Sequence, residues 1–285
     1  MVYDFLICTN AINYAVALAL IDAGVVSRPW ILVDFKRCDV VPRRGVRQWG
    51  LSVSRWRWIG LLLKLPGLVQ VDRVFVPHHR LNHRASELME RARSVAFLDD
   101  GLDTRRFVPR NFDLGRLTGG EKYFTFNEYS DFPPWMTGFD ICQITTLKSM
   151  CRPSFTDPVP AGDFDHVIIE SPGCGIESTV QAVGADQSRV LVIRHPSPHK
   201  QQAIPDGYAV VDGRFIGTDE FIASQEGKSL YFGETMSFFI ALALKVHQRN
   251  NVYLVLPDDR RSNLWGLPMM KYLESSNDLK ISRVC

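Results

Sequence analysis

The chain has 285 residues, 46% of them hydrophobic and 22% charged, with a formal net charge of +2. This composition excludes a disordered chain, and the near balance of charge argues against a dedicated nucleic-acid binder. Six cysteines without a CxxC pair fit a reducing compartment and offer neither a zinc site nor a disulfide framework.

Val2 to Cys8 reads as a strand and not as a signal peptide, since no basic n-region precedes it and Asp4 interrupts its apolar character. Ala11 to Gly24 follows as a helix, with Asn10 as N-cap and Gly24 as its stop. Trp30 to Phe35 and Arg73 to Pro77 are the next strands. Between them, residues 36–64 hold eight Lys or Arg against one acid, Asp39, together with Trp49, Trp56 and Trp58. The pattern suits an interfacial helix on an anionic membrane, and equally a helix packed on the sheet with a solvated basic edge. No RNP, KH or helix-turn-helix pattern supports RNA binding. Asn82 to Arg93 reads as a polar-faced helix, and Ser94 to Leu98 as a strand ending at Asp99-Asp100-Gly101.

From Asn111 to Pro160 the periodicity loosens into aromatic- and proline-rich sequence, read as long functional loops with a linker over 152–160. Alternation then resumes. Asp165 to Glu170 is a strand, Ser171 to Gly175 a turn and Ile176 to Gly184 a helix. Arg189 to Arg194 is a strand that ends on His195-Pro196, and Tyr208 to Asp212 is another. Thr235 to His247 is an apolar helix, and Asn251 to Leu256 a late strand. Strands alternating with helices imply an α/β fold with parallel sheets, here as domains over 1–155 and 156–285. No run of about 18 uncharged apolar residues marks a membrane span, so a cytoplasmic protein is expected.

Three places carry residues suited to chemistry. Asp99-Asp100-Gly101 lies at a strand's carboxyl end, where open α/β sheets bind ligands, although paired aspartates also simply shape turns. His195-Pro196 lies at a second strand end; the proline favours an extended histidine, whose ring titrates near neutrality and could donate a proton. Its alternative is a strand-capping histidine. Gly233 to Ser237 precedes the apolar helix, where hydroxyls and free N–H groups suit an anion, although plain N-capping by Thr235 or Ser237 would look the same. The Ser171 to Gly175 turn lacks the GxGxxG and P-loop spacings, and Cys174 has no inferable base.

In this order, the three places resemble the D/E-D/E-G, H-P and Ser/Thr motifs of bacterial sialyltransferases of the GT-B type, which include lipooligosaccharide sialyltransferases and polysialyltransferases. The 42 residues from His195 to Ser237 are similar to the family's interval. The resemblance implies two Rossmann-like βα domains facing a central crevice: an N-terminal acceptor-side domain with the catalytic base and a C-terminal CMP-sugar domain. It implies Asp100 as general base and His195 as general acid, with Asp99 and Gly101 in support. Thr235 and Ser237 would bind the donor phosphate, and Pro196, Ser171, Gly173 and Glu220 the nucleoside, with Arg194 nearby. The opening strand-TN-helix puts Thr9 and Asn10 on the acceptor side. GETMS replaces the family's double serine, which leaves open whether Thr235 or Ser237 meets the phosphate; Ser275-Ser276 falls after the last strand. No cofactor or metal is implied. The expected partners are a CMP-sugar, a glycan acceptor and the inner membrane through residues 36–64, with no nucleic acid. Other CMP-linked donors, such as CMP-Kdo or another nonulosonic acid, stay open, as does a non-catalytic sugar-nucleotide-binding protein of surface-glycan assembly. An oxidoreductase lacks its glycine fingerprint.

Overall fold

The computed structural model describes residues 2–34, 45–50, 70–77, 88–99, 121–126, 139–145, 158–171, 175–196, 200–213, 217–233, 235–257 and 280–284. These residues form two compact units, one ending at residue 145 and the other beginning at residue 158.

The first unit runs β1 (Val2–Cys8), α1 (Ala11–Asp22), β2 (Pro29–Val33), β3 (Arg47–Gly50), β4 (Gln70–Pro77), β5 (Ser94–Leu98), β6 (Lys122–Thr125) and β7 (Asp140–Gln143). Its seven strands are parallel, in the order β3-β2-β1-β4-β5-β6-β7. Phe5–Cys8, Ile31–Val33 and Val74–Val76 are buried without alternation, the pattern of strands covered on both faces. Phe5, Ile7, Leu32, Val76, Phe97 and Tyr123 join in one core, each such side chain contributing about 1.5–3 kcal/mol. Helix α1 is apolar all round, and every residue from Asn13 to Leu20 is buried. It stops at Gly24, whose φ of +71° lets Gly24 N–H reach Ile21 O and Val25 N–H reach Leu20 O, at 3.1 and 3.0 Å.

The second unit runs β8 (His166–Ile169), α2 (Ile176–Val183), β9 (Val190–Arg194), β10 (Ala209–Asp212), α3 (Gly217–Ala223), β11 (Ser229–Phe232), α4 (Met236–Ala243), β12 (Asn251–Pro257) and β13 (Lys280–Val284). Its six strands are also parallel, in the order β10-β9-β8-β11-β12-β13. Numbered within its unit, this is the doubly wound order 3-2-1-4-5-6, and the first sheet repeats it with one added strand. The expected α/β class with parallel sheets is therefore observed.

Four expectations need correction. Arg47–Gly50 of the basic segment is neither kind of helix but an edge strand beside β2, with Trp49 packed edge-on against Trp30 at 4.6 Å. The stretch read as loops after Asn111 contains β6 and β7. Ser275-Ser276 does not fall after the last strand, because β13 at Lys280–Val284 follows it in the chain, and helix α3 and strand β11 likewise carried no recognised signal. The apolar helix ends early at Ala243, because Lys245 turns left-handed at φ 55° before a short 3-10 turn at Val246–Gln248. Of the helix expected over Asn82 to Arg93, residues 88–91 are helical and 82–87 lie outside the described residues. No described helix is long and apolar enough to cross a membrane.

Candidate active site

Parallel strands bring all their carboxyl ends to one edge, and ligands favour the point where strand order reverses. In the first unit that point lies between β1 and β4, and β5 follows next. Thr9 and Asn10 leave β1 there. Asn10 N-caps α1, its side chain accepting from Asn13 N–H at 2.9 Å. The Asn13 side-chain oxygen returns the favour, accepting from Asn10 N–H at 3.3 Å and from the N–H and hydroxyl of Thr9 at 3.1 Å each. The Asn13 amide then donates to the carbonyl of Asp99 at 2.5 Å. Asp99 itself is buried. Its carboxylate accepts from the Thr125 hydroxyl and, at 3.4 Å, from Tyr123 Oη, while its N–H donates to Phe124 O at 2.8 Å. The residue before Asp100 is thus held by β6 and α1. Asp100 and Gly101 lie outside the described residues.

In the second unit the reversal lies between β8 and β11, with β9 on the other side of β8. Glu170 and Ser171 leave β8, His195 and Pro196 leave β9, and Gly233 and Thr235 leave β11. Glu170 is buried, and its carboxylate accepts from the backbone N–H of His195 at 2.8 Å and from that of Gln202. Gln201 Nε2 donates to His195 O at 2.9 Å and Gln202 Nε2 to Ser171 O at 3.0 Å. On the far side, Gly213 N–H donates to Arg194 O at 3.0 Å, and a Cβ at Gly213 would collide with that oxygen. His195 is therefore half-buried on a loop tied down from both neighbouring strands.

The hydroxyls stand differently. Ser171 is fully buried, and its Oγ has no hydrogen-bond partner among the described residues. Thr235 occupies the N-cap position of α4 with extended backbone, yet its hydroxyl makes no capping bond, and Oγ1 is buried without a described partner. Ser237 is the second residue of α4 and half-buried. The Nε of Arg194 is also buried without a described partner. Helix α2 starts at Gly175 with no side-chain cap either. Among the described residues, neither N-cap residue of the two helices that follow β8 and β11 makes a side-chain capping bond, whereas α1 in the first unit is closed by Asn10. Glu220 lies in the first turn of α3, which follows the edge strand β10. Gly173 lies outside the described residues.

Glu170, Asn13 and Thr125 were not singled out from the sequence. Glu170 looked like the last residue of a strand, and Asn13 lay inside the expected helix from Ala11 to Gly24. Among the described residues no group of three His, Cys, Asp or Glu is placed to hold a metal. No protein-family model matches the chain, and no characterised relative was found for it.

Proposed function

We propose that the chain is an inverting glycosyltransferase of the GT-B type, moving sialic acid from CMP-sialic acid to a glycan hydroxyl. Asp100 takes the proton of the acceptor hydroxyl, whose oxygen bonds to the anomeric carbon of the donor. The bond from that carbon to the phosphate oxygen breaks with its electron pair, and His195 gives a proton to the departing CMP or stabilises it as a cation. Thr235, Ser237 and the N–H groups opening α4 hold the phosphate. The use of both carboxyl edges in one reaction belongs to this proposal.

The observation that carries the reading is the Thr235 hydroxyl, buried at the N-cap of α4 without a capping bond or a described partner, at the reversal point, with only β8 between β11 and the strand β9 that bears His195. An ordinary N-cap threonine would spend that hydroxyl on the helix. The repeated 3-2-1-4-5-6 order in both units supports the GT-B assignment.

The experiment is CMP release from CMP-sialic acid with a panel of galactosides and sialosides, run on the native chain, Asp100→Ala and His195→Ala. Loss of transfer by at least about 100-fold in each variant, with folding retained, is the expected result. Full transfer by both folded variants defeats the mechanism. CMP binding without release on any acceptor, or release from a different CMP-linked sugar, would redirect the assignment of donor or activity.

A further inference from the structure

We infer that Glu170 is the positioning residue for His195, which rests on the reading of His195 as general acid. Glu170 directly follows β8 and is 1% exposed. Its two carboxylate oxygens take the N–H of His195 at 2.8 Å and the N–H of Gln202. His195 opens the loop that leaves β9, and Gln202 lies seven residues on. Glu170 N–H meanwhile donates to Ile193 O at 2.9 Å, fixing the strand that delivers His195. Arg194 reaches Gln202 O at 3.2 Å, and the Gln201 and Gln202 amides close onto His195 O and Ser171 O.

A carboxylate is the group this position needs. The two N–H donors meet different carboxylate oxygens, and an amide in the same pose would turn its NH2 toward one of them. Hydrogen bonds from N–H to an ionised carboxylate are also stronger than neutral ones, which offsets part of the cost of burying the charge. Glu170 accepts from the backbone N–H of His195. Its effect on the reaction is therefore placement: a proton donor shifted by ~1 Å from its acceptor loses on the order of 100-fold in rate.

The test compares Glu170→Gln, His195→Ala and the double variant in two assays: CMP release from CMP-sialic acid, and amide hydrogen exchange over residues 195–202. Glu170→Gln is expected to keep its fold and its donor KM within about twofold while kcat falls about 10- to 100-fold. Exchange over 195–202 should quicken at least about tenfold, with the first unit unchanged. In the His195→Ala background, Glu170→Gln should cause no further loss, a coupling that a merely structural carboxylate would not produce. Unchanged exchange overturns the inference. So does an unchanged kcat, or an equal fold-loss in the His195→Ala background. Full activity of His195→Ala alone defeats the reading of His195 itself, and that result appears without any substitution at Glu170. Should Glu170→Gln not fold, Glu170→Asp keeps both acceptors one methylene shorter and is read the same way.

Discussion

The side chain of Asn13 donates to the carbonyl of Asp99 at 2.5 Å, joining two strand exits that are 86 residues apart in the chain. That carbonyl belongs to the peptide bond leading into Asp100. The same Asn13 side chain accepts from Thr9 and Asn10 on its other side, so one buried amide spans the exits of β1 and β5, with β4 between them. Asn13→Ala leaves the Asp99 carbonyl and two N–H groups without their partner. Each buried polar group left unpaired costs about 1–3 kcal/mol, and relaxation will recover part of it, so a loss of about 2–4 kcal/mol is expected in urea unfolding. A loss under about 1 kcal/mol would mean that water replaces the amide and that the peptide entering Asp100 is not held by it.

How much of this was readable from sequence depends on the range of the interaction. Strand β5 was legible to the residue, because Val95 to Leu98 is an apolar run bounded by Arg93-Ser94 before it and Asp99 after it. The Asn10 cap was legible because capping is a contact within one helical turn. Asn13 and Glu170 were not, since their meaning lies in partners that only the fold brings near: Asp99 for one, His195 and Gln202 for the other. Strands β3, β6, β7 and β11 are four residues long, too short for periodicity to declare them, and the equally short β8 and β10 were legible only through their unbroken apolar runs. Edge strands β3 and β7 carry few apolar residues and exist because a neighbour offers unpaired backbone. The hydroxyls of Thr235 and Ser237 were legible as a pattern at a helix start, but whether Thr235 caps its helix was not.

Thr235 offers a direct comparison. A capping threonine replaced by alanine costs about 1 kcal/mol of stability. The Thr235 hydroxyl makes no capping bond, so Thr235→Ala should change stability by less than about 0.5 kcal/mol and weaken CMP binding about 5- to 20-fold. Calorimetric titration with CMP beside urea unfolding separates the two. Lost stability with intact CMP binding would return Thr235 to the role of an ordinary cap. Ser237→Ala in the same titration decides which hydroxyl carries the larger share.

At the amino edge of the first sheet, Arg73 grips the buried Asp4 with two hydrogen bonds, Nε to Oδ1 at 3.0 Å and Nη2 to Oδ2 at 2.6 Å. Asp4 also accepts from Ser27 N–H at 3.2 Å, and Arg73 Nη2 donates to Val25 O at 2.8 Å. Arg73→Ala leaves a 2% exposed carboxylate with one backbone donor. The cost of stranding such a charge is about 3–5 kcal/mol in full burial, discounted here to about 2–3 because Arg73 is partly solvated. Asp4→Ala with Arg73→Ala together should cost less than the two single losses summed. Strict additivity in urea unfolding would argue that the pair is two independent contacts.

The buried phenol of Tyr231 sets a pH limit on the second unit. Tyr231 is 2% exposed, shares a 3.0 Å hydrogen bond with His166 Nδ1 and stacks on Tyr253 at 4.8 Å. Burial pushes its pKa above the usual value, aided by nearby Tyr253 and opposed by a hydrogen bond with Ser229. The folded chain therefore holds this proton at pH values where the unfolded chain, with a tyrosine pKa of about 10, has lost it. Through that window the folded state binds more protons than the unfolded state, so stability falls as pH rises. Below it the contribution is fully present and flat. Tyr231→Phe should lose about 1 kcal/mol at pH 7, from the missing hydrogen bond to His166. Its stability should then decline less steeply than that of the native chain between about pH 9.5 and pH 11. Urea midpoints across that range test the point, and parallel declines for the two proteins would place the alkaline sensitivity in other groups.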